Sequence, residues 1–430
     1  MPQHMLGSPD QPVPAAPDLL VLADDLTGAA DCAVAFVRRG HRAVVGLGGQ
    51  AAECGGGVLA IDADSRRLPP AQAAARHVQI LMACHRPGLM LFKKIDSTLR
   101  GQPVAELVAT LEALRQTSPR RLALLAPAFP AHGRKLRQGR VWLHDVPLED
   151  TSLWAADHSY NSADLPVVLR TAGLDASLLP LAALRAGAAR DTIHAAIGAG
   201  RDVLVCDSDT AADLEALAVA ALSFRETLLW VGSGGLADAI AGAGPGGPAV
   251  PDAAAPARPG GLLFVVGSAA KASHAAAVAL AREEGIQSFA LCPAMLRRRG
   301  GADWEAAGQR ILWALRAEQD TLVTIAPDPG ADLSRGAELA DALAELLAPA
   351  ARMACGLFAT GGETACALLA RLGVCSIEML REVEPGVPLG ITRGRMAMPV
   401  VTKAGAFGHA GTIIQARRHL RALPHGKDTG

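Results

Sequence analysis

The run Leu19-Leu20-Val21-Leu22-Ala23-Asp24-Asp25-Leu26-Thr27-Gly28-Ala29-Ala30-Asp31 decides the fold of this 430-residue chain. Its apolar head is too short for a helix and reads as a buried strand. Two carboxylates close the strand, with Thr27 placed as a helix N-cap and Gly28 where the backbone turns. The helix continues through Ala33-Val34-Ala35-Phe36-Val37 and stops at Gly40. In an open α/β sheet, ligands bind beyond the carboxyl ends of the strands. Asp24 and Asp25 therefore stand where chemistry is expected. The plain alternative is one capping carboxylate and one solvated one.

The same rhythm repeats outward from this run. Residues 42–47, 58–61, 89–92 and 122–126 read as strands, and 71–84 and 102–114 as helices. Residues 141–147 suggest a β-arm and 150–164 a loop. The alternation returns with strands at 203–207 and 228–231 and a helix over 211–222. Strand–helix alternation of this kind predicts α/β architecture with a doubly wound, mostly parallel sheet.

Residues 242–261 are nearly all Gly, Pro and Ala, the composition of a linker. The second half restarts with strands at 262–266, 321–325 and 356–360 and a helix over 337–347. The predicted organisation is a disordered leader (1–17), an N-terminal α/β domain (18–243), a linker (244–260) and a C-terminal α/β domain (261–425). The active site belongs in the cleft between the domains, and cleavage of the linker is expected to release two compact fragments.

Composition bounds the function. Lys and Arg number 41 against 42 Asp and Glu, so no polyanion partner such as nucleic acid is advertised. Tyr160 is the single tyrosine, which disfavours base stacking. Eight scattered cysteines form no C-x-x-C pair, and the histidines show no metal-ligand spacing, so a zinc site is not indicated. Buried reduced thiols are expected. The first 17 residues lack a basic and apolar signal pattern, and no apolar run is long enough to span a bilayer. The expectation is a cytoplasmic protein with no membrane or nucleic-acid partner; oligomeric state is not encoded legibly.

Polar clusters fall at strand ends. Lys93, Lys94, Asp96, Ser97 and Arg100 mix both charges with a hydroxyl in one short stretch, and Arg66 and Arg134 add cations on the same edge. Cations suit a carboxylate, and Asp side chains accept from hydroxyls, so a small polyhydroxy acid fits. An Asp beside a substrate hydroxyl can also serve as general base. One of Asp24 and Asp25 is expected in that role, with Asp96 orienting substrate. In the second half, Gly267-Ser268, Gly361-Gly362-Glu363-Thr364 and Lys403-Ala404-Gly405 are glycine-rich junctions where backbone amides could hold phosphate. Neither a Walker A motif nor G-x-G-x-x-G is present.

Taken in order, Ala23-Asp24-Asp25-Leu26-Thr27-Gly28, Ser65-Arg66, Lys93-Lys94-Ile95-Asp96-Ser97-Thr98-Leu99-Arg100-Gly101, Pro127-Ala128-Phe129-Pro130 with Gly133-Arg134, Gly267-Ser268, Thr360-Gly361-Gly362-Glu363-Thr364 and Lys403-Ala404-Gly405 resemble the four-carbon acid sugar kinase family. The resemblance covers nearly the whole chain after the leader. It implies an N-terminal domain for the acid sugar and a C-terminal nucleotide-binding domain for ATP. It also implies transfer from Mg-ATP to a terminal hydroxyl of threonate, erythronate or 3-oxo-tetronate, with Mg²⁺ arriving on the nucleotide. By position, Asp24, Asp25, Arg66 and the Lys94–Ser97 run would hold substrate, and Ser268, Gly361 to Thr364 and Gly405 nucleotide. The chain departs from the family's usual pattern at Ala269-Ala270-Lys271 and His409-Ala410-Gly411. Two other classes compete: a sugar-acid-binding protein without catalysis, and a nucleotide-linked hydroxy-acid dehydrogenase. The latter is disfavoured because Asp-Asp occupies the first turn where a glycine fingerprint would stand.

Overall fold

The computed structural model describes residues 18–50, 52, 54–117, 121–154, 160, 162–247, 258–327 and 336–423. The leader, residues 248–257 of the expected linker and the last residues of the expected C-terminal domain lie outside them.

The N-terminal half contributes β1 (Leu19–Ala23), β2 (Ala43–Gly46), β3 (Val58–Asp62), β4 (Met90–Lys94), β5 (Leu122–Ala126), β6 (Arg134–Arg137), β7 (Arg140–Leu143), β8 (Val146–Pro147), β9 (Ala176–Leu179), β10 (Val203–Cys206) and β11 (Leu228–Gly232). The C-terminal half contributes β12 (Leu262–Val266), β13 (Ile286–Leu291), β14 (Asp320–Ile325), β15 (Gly356–Thr360), β16 (Val374–Glu384), β17 (Val387–Gly394) and β18 (Pro399–Lys403). β6, β7 and β8 form a small antiparallel sheet, which is the β-arm read from sequence. All others join one 15-stranded sheet in the order β13-β14-β12-β15-β18-β17-β16-β2-β3-β1-β4-β11-β5-β10-β9.

Both halves are doubly wound around a switch point. β1 lies between β3 and β4, and β12 between β14 and β15, all parallel. At such a point the flanking connections leave to opposite sides and open a crevice at the carboxyl ends. The Asp24-Asp25 turn and the loop after Lys94 border the first crevice. Gly267-Ser268 and Gly361-Gly362 border the second.

The two domains are not separate bodies on a linker, as the sequence suggested. β16 pairs with β2, antiparallel, so the sheet crosses from one half into the other. β16, β17 and β18 alternate in direction, which leaves the parallel strands of the two halves running oppositely. In a flat sheet their carboxyl ends would point to opposite edges. Three register breaks along β16–β17 bend and twist that ribbon, and the second half folds back until Gly362 lies against Asp25 and Thr27. One apolar core runs through both halves. Arg38–Glu382, Arg42–Glu378 and Arg67–Glu363 pair across the boundary, and His132 stacks on Phe407 with centroids 4.1 Å apart.

The helix Leu26–Val37 is wedged at this junction, against β3, β16 and the helix Gly234–Ala243. Small residues (Gly28, Ala29, Ala30, Cys32, Ala33, Ala35) let neighbours approach on nearly every side, and all are buried. Of the cysteines, Cys32, Cys54, Cys84 and Cys206 are buried as expected, but Cys292 and Cys375 are exposed. Among the described residues no helix is long and apolar enough to cross a membrane.

Candidate functional site

The first turn departs from its sequence reading at two residues. Asp25, not Thr27, caps the helix: its Oδ1 accepts from Gly28 N–H at 2.8 Å. Thr27 lies inside the helix and donates to Asp25 Oδ2 at 2.6 Å. Gly28 is ordinary helix, and glycine is required there for closeness instead of for a turn. A Cβ at this position would stand 2.7 Å from Asp25 Oδ1 and 2.8 Å from Lys94 Nζ.

Arg66 ties the two first carboxylates together. Its Nε and Nη2 donate to the two oxygens of Asp24, at 2.7 and 2.9 Å, and Nη1 donates to Asp25 at 2.6 Å. Burial raises the Asp24 pKa, although Arg66 opposes the shift. For Asp25 burial also pushes up, but Arg66, Lys94 and the bonds from Thr27 and Gly28 outweigh it and hold the pKa below the usual value. Asp96 receives a two-pronged bond from Arg100, at 2.9 and 2.8 Å, and another from the Thr98 hydroxyl. Burial again opposes, and Arg100, Arg66 and Lys94 prevail, keeping Asp96 well below the ordinary carboxylate range.

The two lysines separate because β4 extends further than the sequence suggested, through Lys94. Successive side chains on a strand point to opposite faces. Lys93, expected among the substrate ligands, is fully buried away from the cleft and donates to Glu106 at 2.6 Å. His77 and Ser65 complete that internal cluster. Lys94 goes the other way. It is 6% exposed, lines the cleft, and has no hydrogen bond or ion pair among the described residues. Burial opposes its charge, but Cys32, Asp24, Asp25 and Asp96 outweigh burial and raise its pKa.

The cleft has a volume of about 140 Å³ and both halves line it. That is well below the several hundred Å³ typical of drug-sized ligands, so it suits a small polar molecule. From the first half come Asp25, Arg66, Lys94, Asp96, Ser97, Arg100 and Arg134, whereas Asp24 lies behind Arg66 and does not line the cleft. Arg134 donates to the His132 carbonyl, while its buried Nε finds no acceptor among the described residues. Asp31, one helical turn beyond Thr27, also faces the cleft. Sequence reasoning passed over it. The available signal was a lone carboxylate inside the apolar run from Ala29 to Val37.

From the second half, Lys403 and Gly405 line the cleft, and Ser268, Gly361 and Thr364 cluster against them. A Cβ on Gly405 would meet Ser268 Oγ at 2.0 Å, and one on Gly267 would meet Thr364 Oγ1 at 2.0 Å. The helix Gly362–Arg371 starts without a side-chain cap, so its first amides are open to an acceptor. Bare backbone, packed to the limit of glycine and opening on an uncapped helix start, fits a phosphate chain. Two expected nucleotide ligands are otherwise engaged. Lys403 is buried and donates to Ser273 Oγ and to the carbonyls of Ala404 and Gly405, at 2.9, 3.0 and 3.2 Å. Burial lowers its pKa to about 8. It braces the glycine turn from beneath. Glu363 pairs with Arg67 across the domain boundary. Among the described residues no group of three or more His, Cys, Asp or Glu could hold a metal.

Comparison with known proteins divides the chain at the boundary between its two halves. The family model of a sugar-binding N-terminal domain matches residues 19–240, and that of a nucleotide-binding C-terminal domain matches 263–413. A D-threonate kinase of Cupriavidus necator is 43% identical over 413 residues, 92% of this chain and 96% of its own length. The chain belongs to the four-carbon acid sugar kinase family. Within that family, a D-threonate kinase of Bordetella bronchiseptica is 36% identical over 94% of this chain and 98% of its own. A 3-oxo-tetronate kinase of Methylobacterium radiotolerans is 30% identical over 90% and 96%. A solved structure from Salmonella typhimurium shares the fold, with a TM-score of 0.75 at 20% identity over 94% of this chain and 99% of that one. In this family member the departures at Ala269-Ala270-Lys271 and His409-Ala410-Gly411 both lie in the C-terminal half. Ala270 begins the helix Lys271–Ala281 with no side-chain cap, and His409 pairs with Glu384 at 3.1 Å.

Proposed function

We propose that this chain transfers the γ-phosphoryl group of ATP to a terminal hydroxyl of a four-carbon sugar acid. D-threonate is the first candidate because two relatives of 43% and 36% identity are D-threonate kinases. The observation that carries the reading is the Lys94 ammonium. It is buried, has no partner among the described residues, and opens on a small cleft that faces the glycine-rich loops. The surrounding carboxylates keep this ammonium charged while its N–H donors find no acceptor among the described residues, so an anionic oxygen entering the cleft meets a preformed donor. Lys94, Arg100 and Arg134 would hold the carboxylate, while Asp25, Asp96 and Ser97 accept from or donate to hydroxyls. Arg66, which also lines the cleft, would contact the acid, and Asp24 would hold its guanidinium from behind.

Ser268, Gly361, Gly362, Thr364 and Gly405 would border the phosphates of ATP. Mg²⁺ would arrive with the nucleotide and neutralise charge developing on the transferred group. The test is ADP release with D-threonate, L-threonate, D-erythronate, 3-oxo-tetronate and longer aldonates. Acid-dependent ADP formation with a four-carbon acid is expected. Tight acid binding without ADP release would instead favour the binding-protein reading.

A further inference from the structure

We propose that Asp31 is the general base that takes the proton from the acceptor hydroxyl, an inference that rests on the kinase reading above. The three carboxylates marked by sequence are poorly placed for this work. Asp24, Asp25 and Asp96 each accept bonds from arginine on both sides or on one side plus a cap. Asp25 and Asp96 are also held below their usual pKa, which makes them weak bases. Asp31 differs from all three in having no arginine or cap on its carboxylate. Four residues after Thr27, it shares the helix face that opens on the cleft, and it lines that cleft beside Lys94 and Ser233. Its carboxylate has no hydrogen bond or ion pair among the described residues. Gly234 lies close over it: a Cβ there would come within 3.1 Å of Asp31 Oδ2.

Its surroundings explain its basicity. Burial raises the pKa, Lys94 lowers it, and Glu382 of β16, Asp238 of the helix Gly234–Ala243 and Asp25 raise it again, to about 7. Arg38 sits between Asp238 and Glu382 and offsets part of their charge. A base titrating near the operating pH combines a populated carboxylate with real proton affinity. The step balances: the acceptor oxygen forms a bond to the γ-phosphorus as its proton passes to Asp31. The bond from that phosphorus to the bridging oxygen breaks, and its electron pair leaves on ADP. Asp31 then returns the proton to solvent.

The experiment compares wild type with Asp31→Asn and Asp31→Glu, using D-threonate and ATP. Wild-type kcat/KM should rise with pH through about 7 and level off above it. Asp31→Asn should lower kcat by roughly two to four orders of magnitude, the usual worth of general-base catalysis, with the KM for the acid little changed and the limb near 7 gone. Asp31→Glu should recover part of the rate. A structural readout runs alongside. Because folding raises this pKa, the native state holds a proton that the unfolded chain has released, and stability falls as pH climbs through that window. Asp31→Asn should therefore melt no lower than wild type at pH 8, whereas loss of a structural contact would lower melting. More than a tenth of wild-type kcat in Asp31→Asn, or persistence of the limb near 7, overturns the assignment. A wild type that releases no ADP with any four-carbon acid overturns the kinase reading itself, and the assignment with it.

Discussion

Replacing Glu106 by Gln should cost about 3–5 kcal/mol of stability, the usual penalty for leaving one partner of a buried ion pair uncompensated. Lys93, Glu106, His77 and Ser65 are all at most 1% exposed. Lys93 donates to Glu106 Oε2 at 2.6 Å, and Ser65 donates to Oε1 at 2.8 Å. His77 Nδ1 lies 3.4 Å from Lys93 Nζ and its Nε2 3.0 Å from Ser65 Oγ. A neutral ring with the proton on Nε2 satisfies both contacts. Gln keeps the shape and can still accept from Ser65, but its NH2 group then faces the Lys93 ammonium, so the charge and its hydrogen bond are lost together. Urea unfolding at pH 7.5, followed by far-ultraviolet circular dichroism and by the summed fluorescence of the five tryptophans, among them Trp230, buried on the neighbouring β11, reads the change. Lys93→Met with Glu106→Gln removes both charges and should recover most of it, as coupling within one network requires. Acid should act in the same sense. Burial opposes the Glu106 charge, but Lys93 outweighs it and holds the pKa below the ordinary value, while burial and Lys93 lower the His77 pKa and keep that ring neutral. At these two groups the unfolded chain therefore binds more protons, and their contribution to stability, opposite in sign to that of Asp31, falls as pH drops below about 6.5 and again below about 4.5. A cost under 1 kcal/mol for Glu106→Gln, or a double variant as unstable as the sum of its singles, would refute this account.

Gly405→Ala should raise the KM for ATP at least tenfold while leaving equilibrium binding of the sugar acid unchanged, because its methyl must displace Ser268 Oγ from 2.0 Å; initial rates and acid titration read the two effects separately. A chain cleaved at a protease site engineered within residues 248–257 should not come apart. The β2–β16 pairing and the shared core hold the halves together, and dissociation of the nicked protein on gel filtration in native buffer would contradict the continuous sheet.

Most of the fold was legible because it depends on local patterning. Buried parallel strands are short unbroken apolar runs, and β1, β5 and β12 were read from sequence nearly to their ends. Where a strand carries charge the signal fails: β4 seemed to stop before Lys93, since a run of lysines looks like a loop. The β2–β16 junction left no trace at all. It joins residues more than 300 positions apart, and strand pairing obeys no short-range sequence rule.

The candidate site divides the same way. Sequence alone brought Asp24, Asp25, Lys94, Asp96, Arg100 and Arg134 to one edge, because strand ends in a doubly wound sheet collect there. It also placed the glycine junctions of the second half, since bare backbone before a helix is written in the residues themselves. What each of those groups is free to do depended on tertiary structure. Pleating sent Lys93 inward to Glu106 and left Lys94 facing the cleft. The fork of Arg66 engaged Asp24 and Asp25, and the folding back of β16–β17 closed a wall over Asp31. Protonation and partnering are set by desolvation and by charges a few ångströms away, contributed by distant segments. A sequence names the titratable groups; only the packed chain decides which of them keeps a free lone pair.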